Sequence, residues 1–467
     1  MSKPIIAIVG RPNVGKSTLF NRLVEQKIAI VSDTAGTTRD RLYGDAEFAG
    51  REFVVVDTGG FELNELVDLP GTPAAMLASV RGQAQAAIEE ADAIIFLVDV
   101  ELGLSPVDYE IAKILRQSKK PVYLVANKAD NETRRQNAVE FFQLAVGEPI
   151  AISALHGVGI GDLLDQIIAQ LPEQVEEAHE NPHIAIVGRP NVGKSSLLNA
   201  ILGADRAIVS DIPGTTRDAI DTALMWNGVP LVLIDTAGLR KRGQIIPGIE
   251  KYSTLRALRA IQRADIALLV LDAHDGVLAQ DQHVASYILD AGKGVVIVVN
   301  KWDLVEKDNN TMGEYTERVR AALDFIEYAP LVYVSAKTHQ RVNQVLDAAL
   351  QVREAWQMRV PTSELNEVMR EATAKHAPVS RSKRVLKFLY ATQVEGSPPT
   401  FVFFVNDKKL VHFTYQRFLE NQLRARWGFT GAPIKMIFRN RRREKATAEA
   451  PKQRKRSEKS AKENKDK

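Results

Sequence analysis

The sequence predicts an α/β chain: two doubly wound, mostly parallel sheets in tandem, followed by a small α+β module of order α-β-β-α-β. Three observations carry this. The string GRPNVGKS occurs twice, at Gly10–Ser17 and at Gly188–Ser195. Each copy follows a short continuous apolar run, Ile5–Val9 or Ile184–Val187, the pattern of a strand buried on both faces. A chain of 467 residues exceeds one core, and roughly three domains are expected.

Each glycine-rich loop leads into a helical pattern, Thr18–Glu25 and Ser196–Leu202. Further strands of the first domain are expected at Glu52–Asp57, Ala93–Val98, Val122–Asn127 and Ile150–Ile152, which sets that domain at residues 1–171. An acidic linker, 172–182, contains the polar stretch Glu173–Glu180. The second domain, 183–353, repeats the scheme with strands near Leu231–Asp235, Ile266–Asp272, Val295–Asn300 and Leu331–Val334. In residues 354–440 the pattern changes to a helix at Ser363–His376, strands at Arg384–Thr392 and Phe401–Val405, a helix at Thr414–Arg426 and a strand at Ile434–Arg439. Residues 441–467 are charged and repetitive, and a basic disordered tail is expected there.

The doubled loop fits the phosphate-binding template G-x-x-x-x-G-K-[ST] in a strand–loop–helix context. The candidate phosphate ligands are Gly10, Arg11, Pro12, Asn13, Val14, Gly15, Lys16 and Ser17, and in the second copy Gly188, Arg189, Pro190, Asn191, Val192, Gly193, Lys194 and Ser195. Glycines let several N–H groups point inward at phosphate oxygens, and the helix N-terminus adds partial positive charge. Lys16 and Lys194 would reach the β- and γ-phosphates, and Ser17 and Ser195 would each give Mg²⁺ a hydroxyl.

The repeat runs on past the loops. Gly36–Asp40 returns as Gly214–Asp218, Asp57–Gly60 as Asp235–Gly238, Asn127–Asp130 as Asn300–Asp303, and Ser153–Ala154 as Ser335–Ala336. A repeat of this length is a duplicated domain. In the D-x-x-G segments, Asp57, Thr58, Gly59, Gly60 and Asp235, Thr236, Ala237, Gly238, the aspartate would hold Mg²⁺ through a water. The last glycine would offer its N–H to a γ-phosphate. In the N-K-x-D segments, Asn127, Lys128, Ala129, Asp130 and Asn300, Lys301, Trp302, Asp303, the closing carboxylate can accept from N1–H and the exocyclic amine of guanine. Adenine would leave that acceptor unpaired. The asparagines would brace the loop, the lysine stems would lie along the base, and Ala154 and Ala336 would give an N–H to guanine O6.

GTP and GDP with Mg²⁺ are therefore the expected ligands. The pairs Thr37–Thr38 and Thr215–Thr216 leave open which hydroxyl completes Mg²⁺ coordination when a γ-phosphate is bound. Thr38 and Thr216 are favoured. Phe61 and Leu239, the residues after D-x-x-G, cannot hydrogen-bond an attacking water. Asn13 and Asn191 could instead supply an oxygen to a monovalent cation beside the phosphates, a charge acting as an arginine finger does.

The chain has no cysteine, which excludes disulfides and thiolate metal sites and suits a reducing, cytoplasmic setting. Neither a signal-peptide h-region nor an apolar stretch of membrane-spanning length is found, so no membrane partner is expected. The net charge of +3 hides an asymmetry: residues 439–467 carry 13 Lys/Arg against 5 Asp/Glu, and residues 354–438 carry 13 against 7.

Taken together, these residues closely resemble the double-Era-like GTPase family, Der or EngA, over about residues 1–440, with all five guanine-nucleotide motifs in both halves. The resemblance implies two tandem P-loop G domains followed by a KH-like domain that packs against them. It implies potassium-stimulated GTP hydrolysis, a role in assembly of the large (50S) ribosomal subunit, and domain rearrangement with nucleotide state. A monomer is expected. One departure concerns RNA. A KH clamp uses a G-x-x-G loop between two helices, but Gly428–Gly431 lies between the last helix and the last strand and reads as a turn. Basic side chains remain for rRNA phosphates: Arg381, Lys383, Arg384, Lys387, Arg424 and Arg426, with Arg439–Arg443 and Lys452–Arg456 of the tail. Arg240–Arg242 forms a second basic cluster that the first domain lacks, suggesting a nucleotide-gated contact. Two alternatives stay open: a GTP-loaded binding switch with little turnover, and a tRNA-modification GTPase, which would need a folate-binding or helical domain that these segments do not supply.

Overall fold

The computed structural model describes residues 3–28, 43–58, 81–82, 84–85, 87–171, 181–204, 206–209, 221–236, 253–308, 310–376 and 386–440. The first sheet holds β1 (Ile5–Val9), β2 (Tyr43–Phe48), β3 (Arg51–Asp57), β4 (Ala93–Asp99), β5 (Val122–Asn127) and β6 (Ile150–Ala151) in the order β2-β3-β1-β4-β5-β6. All pairings are parallel except β2 with β3. Every residue of β1 and β4 is buried, as their continuous apolar runs require. The domain also holds helices α1 (Lys16–Ile28), α2 (Pro106–Leu115), α3 (Glu132–Asn137) and α4 (Ile160–Gln170), a 3-10 helix at Ala138–Leu144 and helical residues at 87–90. Ser105 and Asp108 close a capping box at the start of α2, with proline at its first position.

The second sheet repeats this plan with one more strand. It contains β7 (His183–Val187), β8 (Ala207–Val209), β9 (Thr222–Trp226), β10 (Val229–Ile234), β11 (Ile266–Asp272), β12 (Gly294–Asn300) and β13 (Leu331–Tyr333), ordered β13-β12-β11-β7-β10-β9-β8. Its helices are α5 (Lys194–Leu202), α6 (Ser253–Arg263), α7 (Ala279–Asp290), α8 (Thr311–Ala322) and α9 (Asn343–Gln357). The antiparallel strands β2, β8 and β9 are absent from the sequence expectations. β2 reads Tyr-Gly-Asp-Ala-Glu-Phe, polar enough to escape a search for continuous apolar runs.

The third module follows the expected order: α10 (Thr362–Lys375), β14 (Phe388–Val394), β15 (Thr400–Val405), α11 (Phe413–Trp427) and β16 (Lys435–Asn440). Its sheet runs β14-β15-β16, antiparallel then parallel. Leu365, Met369, Leu419 and Leu423 of the helices pack with Phe401 and Phe403 in a core that continues into the second domain through Val352, Val296 and Val298. Backbone hydrogen bonds join the same two units: Val295 N–H donates to Gly431 O (2.8 Å) and Gly431 N–H to Tyr328 O (2.9 Å). Gly428 and Gly431 both take left-handed φ, so the G-x-x-G segment is indeed a turn, and a Cβ on Gly431 would meet Val352 Cγ2 at 2.2 Å. Arg424 departs from its expected role at rRNA phosphates. Its guanidinium lies 3.8 Å from the Tyr328 ring centroid and donates to Phe429 O and Ala432 O, so docking of the module absorbs it.

The first and second domains meet through side chains. Tyr43 packs edge-on against Tyr287 (4.5 Å) and donates to His283 O, while Arg259 of α6 donates to Glu90 O (2.7 Å).

Candidate nucleotide sites

Both phosphate loops leave the end of a buried strand and turn directly into α1 or α5. Gly15 and Gly193 take φ of +96° and +94°, and a Cβ on either would lie 2.4 or 2.2 Å from Asn127 Nδ2 or Asn300 Nδ2. Only glycine fits there. Lys16 is buried, its Nζ donating to Gly10 O (2.8 Å) and Arg11 O (2.9 Å); Lys194 does the same with Gly188 O and Arg189 O. Each ammonium thus sits across the mouth of its loop. Asn13 and Asn191 are exposed and adopt left-handed backbone, φ 66° and 63°, a conformation asparagine tolerates.

Asn127 and Asn300 each tie two loops together. Each donates from Nδ2 to the phosphate loop, at Val14 O (2.8 Å) and Val192 O (2.9 Å). Each accepts at Oδ1 from the Ala154 or Ala336 N–H, at 2.9 and 3.0 Å. Those N–H groups, expected to serve guanine O6, are therefore directed at the asparagines in this structure. Ser153 Oγ donates to Asp130 Oδ1 (2.6 Å), which sets the carboxylate's orientation. Lys128 and Lys301 take left-handed φ and reach back to buried strand-end carboxylates, Asp99 Oδ2 (2.6 Å) and Asp272 Oδ2 (2.5 Å). Ala129 and Trp302 are buried beneath these loops, and a cavity of about 380 Å³ at the second site is lined by Pro190, Asn191, Asp272, His274, Asp275, Lys301 and Leu304.

Asp99 and Asp272 were not among the expected residues, nor were Asp108 and Asp281. Each of the latter is buried, accepts from the backbone N–H of its capping position, and lies against a phosphate-loop arginine: Arg11 Nε at 3.4 Å, Arg189 Nε at 2.9 Å. Burial pushes the Asp108 carboxyl up to about 6 against the pull of Arg11, and raises Asp281 as well. The signal was present in the sequence: both pairs recur at the same offset as Asn127 and Asn300.

The metal-side carboxylates differ between the halves. Asp57 ends β3, still paired with Ile8, and accepts from Ser17 Oγ (2.6 Å). Two hard oxygen donors side by side fit Mg²⁺. Thr58 continues along β1, donating to Ile8 O (2.6 Å). In the second domain the ladder stops at Ile234, one residue short, and Asp235 turns at φ 56°. Its N–H is held by Asp221 Oδ1 (2.9 Å), and Thr236 meets Thr222 across 2.6 Å. The Asp235 carboxylate lies 3.0 Å from Arg256 Nε of α6, which also stands 3.4 Å from Glu90 Oε1 of the first domain. Burial, opposed chiefly by Arg256, raises the Asp235 carboxyl to about 6. Thr38, Gly59, Gly60, Phe61, Thr216, Ala237, Gly238, Leu239, Arg240–Arg242, Arg381, Lys383, Arg384 and the tail 441–467 lie outside the described residues.

A phosphate loop, a strand-end aspartate, a bracing asparagine and the N-K-x-D carboxylate, twice over, define a guanine-nucleotide-binding protein of the P-loop GTPase class. Residues 5–128 and 183–301 match the family model of the 50S ribosome-binding GTPases, and residues 359–439 match the KH-domain-like C-terminal domain of EngA bacterial GTPase enzymes. A GTPase Der of Chloroflexus aggregans is 53% identical over 95% of this chain and 99% of its own; one of Desulfitobacterium hafniense is 52% identical over 95% and 100%; one of Listeria innocua is 50% identical over 95% and 100%. The chain belongs to the GTPase Der (EngA) family. GTP, GDP and Mg²⁺ are accordingly its ligands, and no helix among the described residues is long and apolar enough to cross a membrane.

Proposed function

We propose that the chain hydrolyses GTP at both sites and uses the cycle to gate its binding to the assembling 50S ribosomal subunit through rearrangement of its domains. The observation that carries this reading is the position of Arg256, between the Asp235 carboxylate of the second site and Glu90 of the first domain. A site whose metal-side carboxylate touches a domain contact can report its nucleotide there. The family's description as 50S ribosome-binding GTPases supports the partner.

In each site the loop N–H groups and Lys16 or Lys194 hold the phosphates, and Asp130 or Asp303 holds the base. Ser17 with Asp57, and Ser195 with Asp235, are the residues that would hold Mg²⁺. When bound, the ion neutralises charge developing on the phosphoryl oxygens. Thr38 and Thr216 would close the sites over a γ-phosphate. Asn13 and Asn191 would hold K⁺ beside the phosphates, and Asn13→Ala and Asn191→Ala should abolish any difference between turnover in potassium and in sodium. The alternative of a slow binding switch in one or both domains, which Phe61 and Leu239 keep open, gains a specific observation at the second site, where Arg256 competes for Asp235.

Co-sedimentation with 50S precursors tests the gate. Binding should be strong with a non-hydrolysable GTP analogue and weak with GDP. Equal binding in both would remove the gating role.

A further inference from the structure

We propose that the outer face of the β14-β15-β16 sheet, where Val402 is buried at the centre and Tyr390, Lys435 and Arg439 are exposed around it, binds single-stranded RNA, with bases stacking on Tyr390 and Phe404 and phosphates meeting Lys435 and Arg439. The proposal rests on the ribosome-binding reading above and names the surface that would make the contact.

The strand register builds the face. Tyr390, Phe404 and Arg439 stand in one row across the three strands; Thr392, Val402 and Ile437 form the next; Val394, Thr400 and Lys435 form the third. Side chains alternate along a strand, so these nine share one side of the sheet. The intervening residues Ala391, Phe401 and Phe403 are buried in the core with the helices, and Phe438 stacks on Phe403 there. Helices α10 and α11 cover that inner side, leaving the nine on the outer one.

The outer face combines rings and positive charge. Tyr390 is 49% exposed, and its ring centroid lies 6.2 Å from that of Phe404, which is half-buried. Lys435 and Arg439 are exposed on the third strand, and none of the nine positions is acidic. Lys387, Lys408 and Lys409, all exposed, crowd the end of the sheet nearest Tyr390 and Arg439. That end is closed by hydrogen bonds from Lys387 N–H to Asn406 Oδ1 and from Lys408 N–H to Asn440 Oδ1. An exposed ring packed beside a half-buried one, with a basic rim, suits unpaired bases, because every base has a face to stack and every nucleotide a phosphate to neutralise. A duplex, whose bases are already stacked, would gain only the charge.

The alternative RNA contact is closed. A G-x-x-G clamp needs a free loop, and here Gly431 is hydrogen-bonded on both sides to the second domain while Arg424 is stacked on Tyr328.

The test uses the full chain and three probes: a fluorescein-labelled single-stranded oligoribonucleotide, a duplex RNA of the same length, and 50S precursors. Tyr390→Ala should weaken single-strand binding about tenfold, leave duplex binding unchanged, and leave GTP turnover and thermal melting at parental values. Tyr390→Phe, which keeps the ring, should restore affinity. Lys435→Ala and Arg439→Ala should each flatten the salt dependence of single-strand binding by about 0.7 in log–log slope. The proposal is overturned if Tyr390→Ala binds the single strand as the parent does, if Tyr390→Phe fails to rescue, if the duplex suffers equally, or if the parent binds no single strand. In the first case, retained binding to 50S precursors would leave the ribosome reading standing. Loss of precursor binding by the parent, with a tenfold Tyr390→Ala effect on the oligoribonucleotide, would instead remove that reading and keep the platform.

Discussion

The two nucleotide sites share nearly every side chain that touches the phosphate loop and the N-K-x-D loop, yet their strand-end aspartates, Asp57 and Asp235, are arranged differently. In the first, Asp57 stays in its strand and accepts from Ser17; in the second, Asp235 has left the sheet and lies against Arg256. The identical parts, Asn127 and Asn300 or Lys128 and Lys301, are held by residues close by in the same domain. The differing part is held by a helix that also touches the first domain at Glu90 and Asp92. Local contacts reproduce themselves after duplication, whereas an interdomain contact belongs to one copy only.

The largest expected effect isolates the copies. Lys16→Ala should lower turnover at the first site by about 10²–10³-fold, and Lys194→Ala should do so at the second. Single-turnover measurements on each variant would then report the intact site alone. Similar residual rates would show that the Asp57–Asp235 difference has no kinetic meaning.

Next come the carboxylates. Asp57→Ala should weaken Mg²⁺-dependent nucleotide binding at the first site by about 10–100-fold. Asp235→Ala should cost the second site less, since its carboxylate begins engaged with arginine. Magnesium titrations followed by nucleotide fluorescence would check the ranking; a larger loss at the second site would invert it.

A pH effect is smaller. The Asp108 carboxyl is raised to about 6 by burial, from 3.8 when exposed. Between those values the folded chain holds more protons than the unfolded one. Stability should therefore fall as pH rises from about 4 to about 6, with the cost complete above that range and absent below it. Asp108→Asn should flatten this slope, by on the order of 3 kcal/mol across the window. Denaturant melts at pH 4 and pH 7 would show it, and an unchanged slope would place the titration elsewhere.

The smallest effect bears directly on the comparison. Arg256→Ala should free Asp235 and tighten Mg²⁺–nucleotide binding at the second site about fivefold, while loosening the first domain. Crosslinking between the first two domains, read beside the titration, would separate the two consequences. Tighter binding without loosened contact would make Arg256 a purely local competitor.

The parallel strands were legible because continuous apolar runs such as Ile266–Asp272 admit little else, and the nucleotide residues because they repeat. The antiparallel strands β2 and β8 were not: β2 is mixed in polarity and β8 is three residues long. The antiparallel strand β9, Thr-Ala-Leu-Met-Trp, is an apolar run that was legible and was passed over. Arg424 misled for a related reason. A basic side chain in a basic module suggests phosphate, but Tyr328 comes from another domain, and nothing adjacent in sequence announces it. Arg256 was silent likewise, since Asp235 and Glu90 lie far from it along the chain.

The stitch between Gly431 and the strand edge at Val295 has a mechanical consequence. Each junction has a continuous apolar core, but among the described residues only the second domain and the third module are also joined backbone to backbone, so these two are built as a single beam and the first domain as an arm joined to it by side-chain packing. A displacement begun beside Asp235 would therefore swing the arm while the beam, and the outer face of its last sheet, kept its shape.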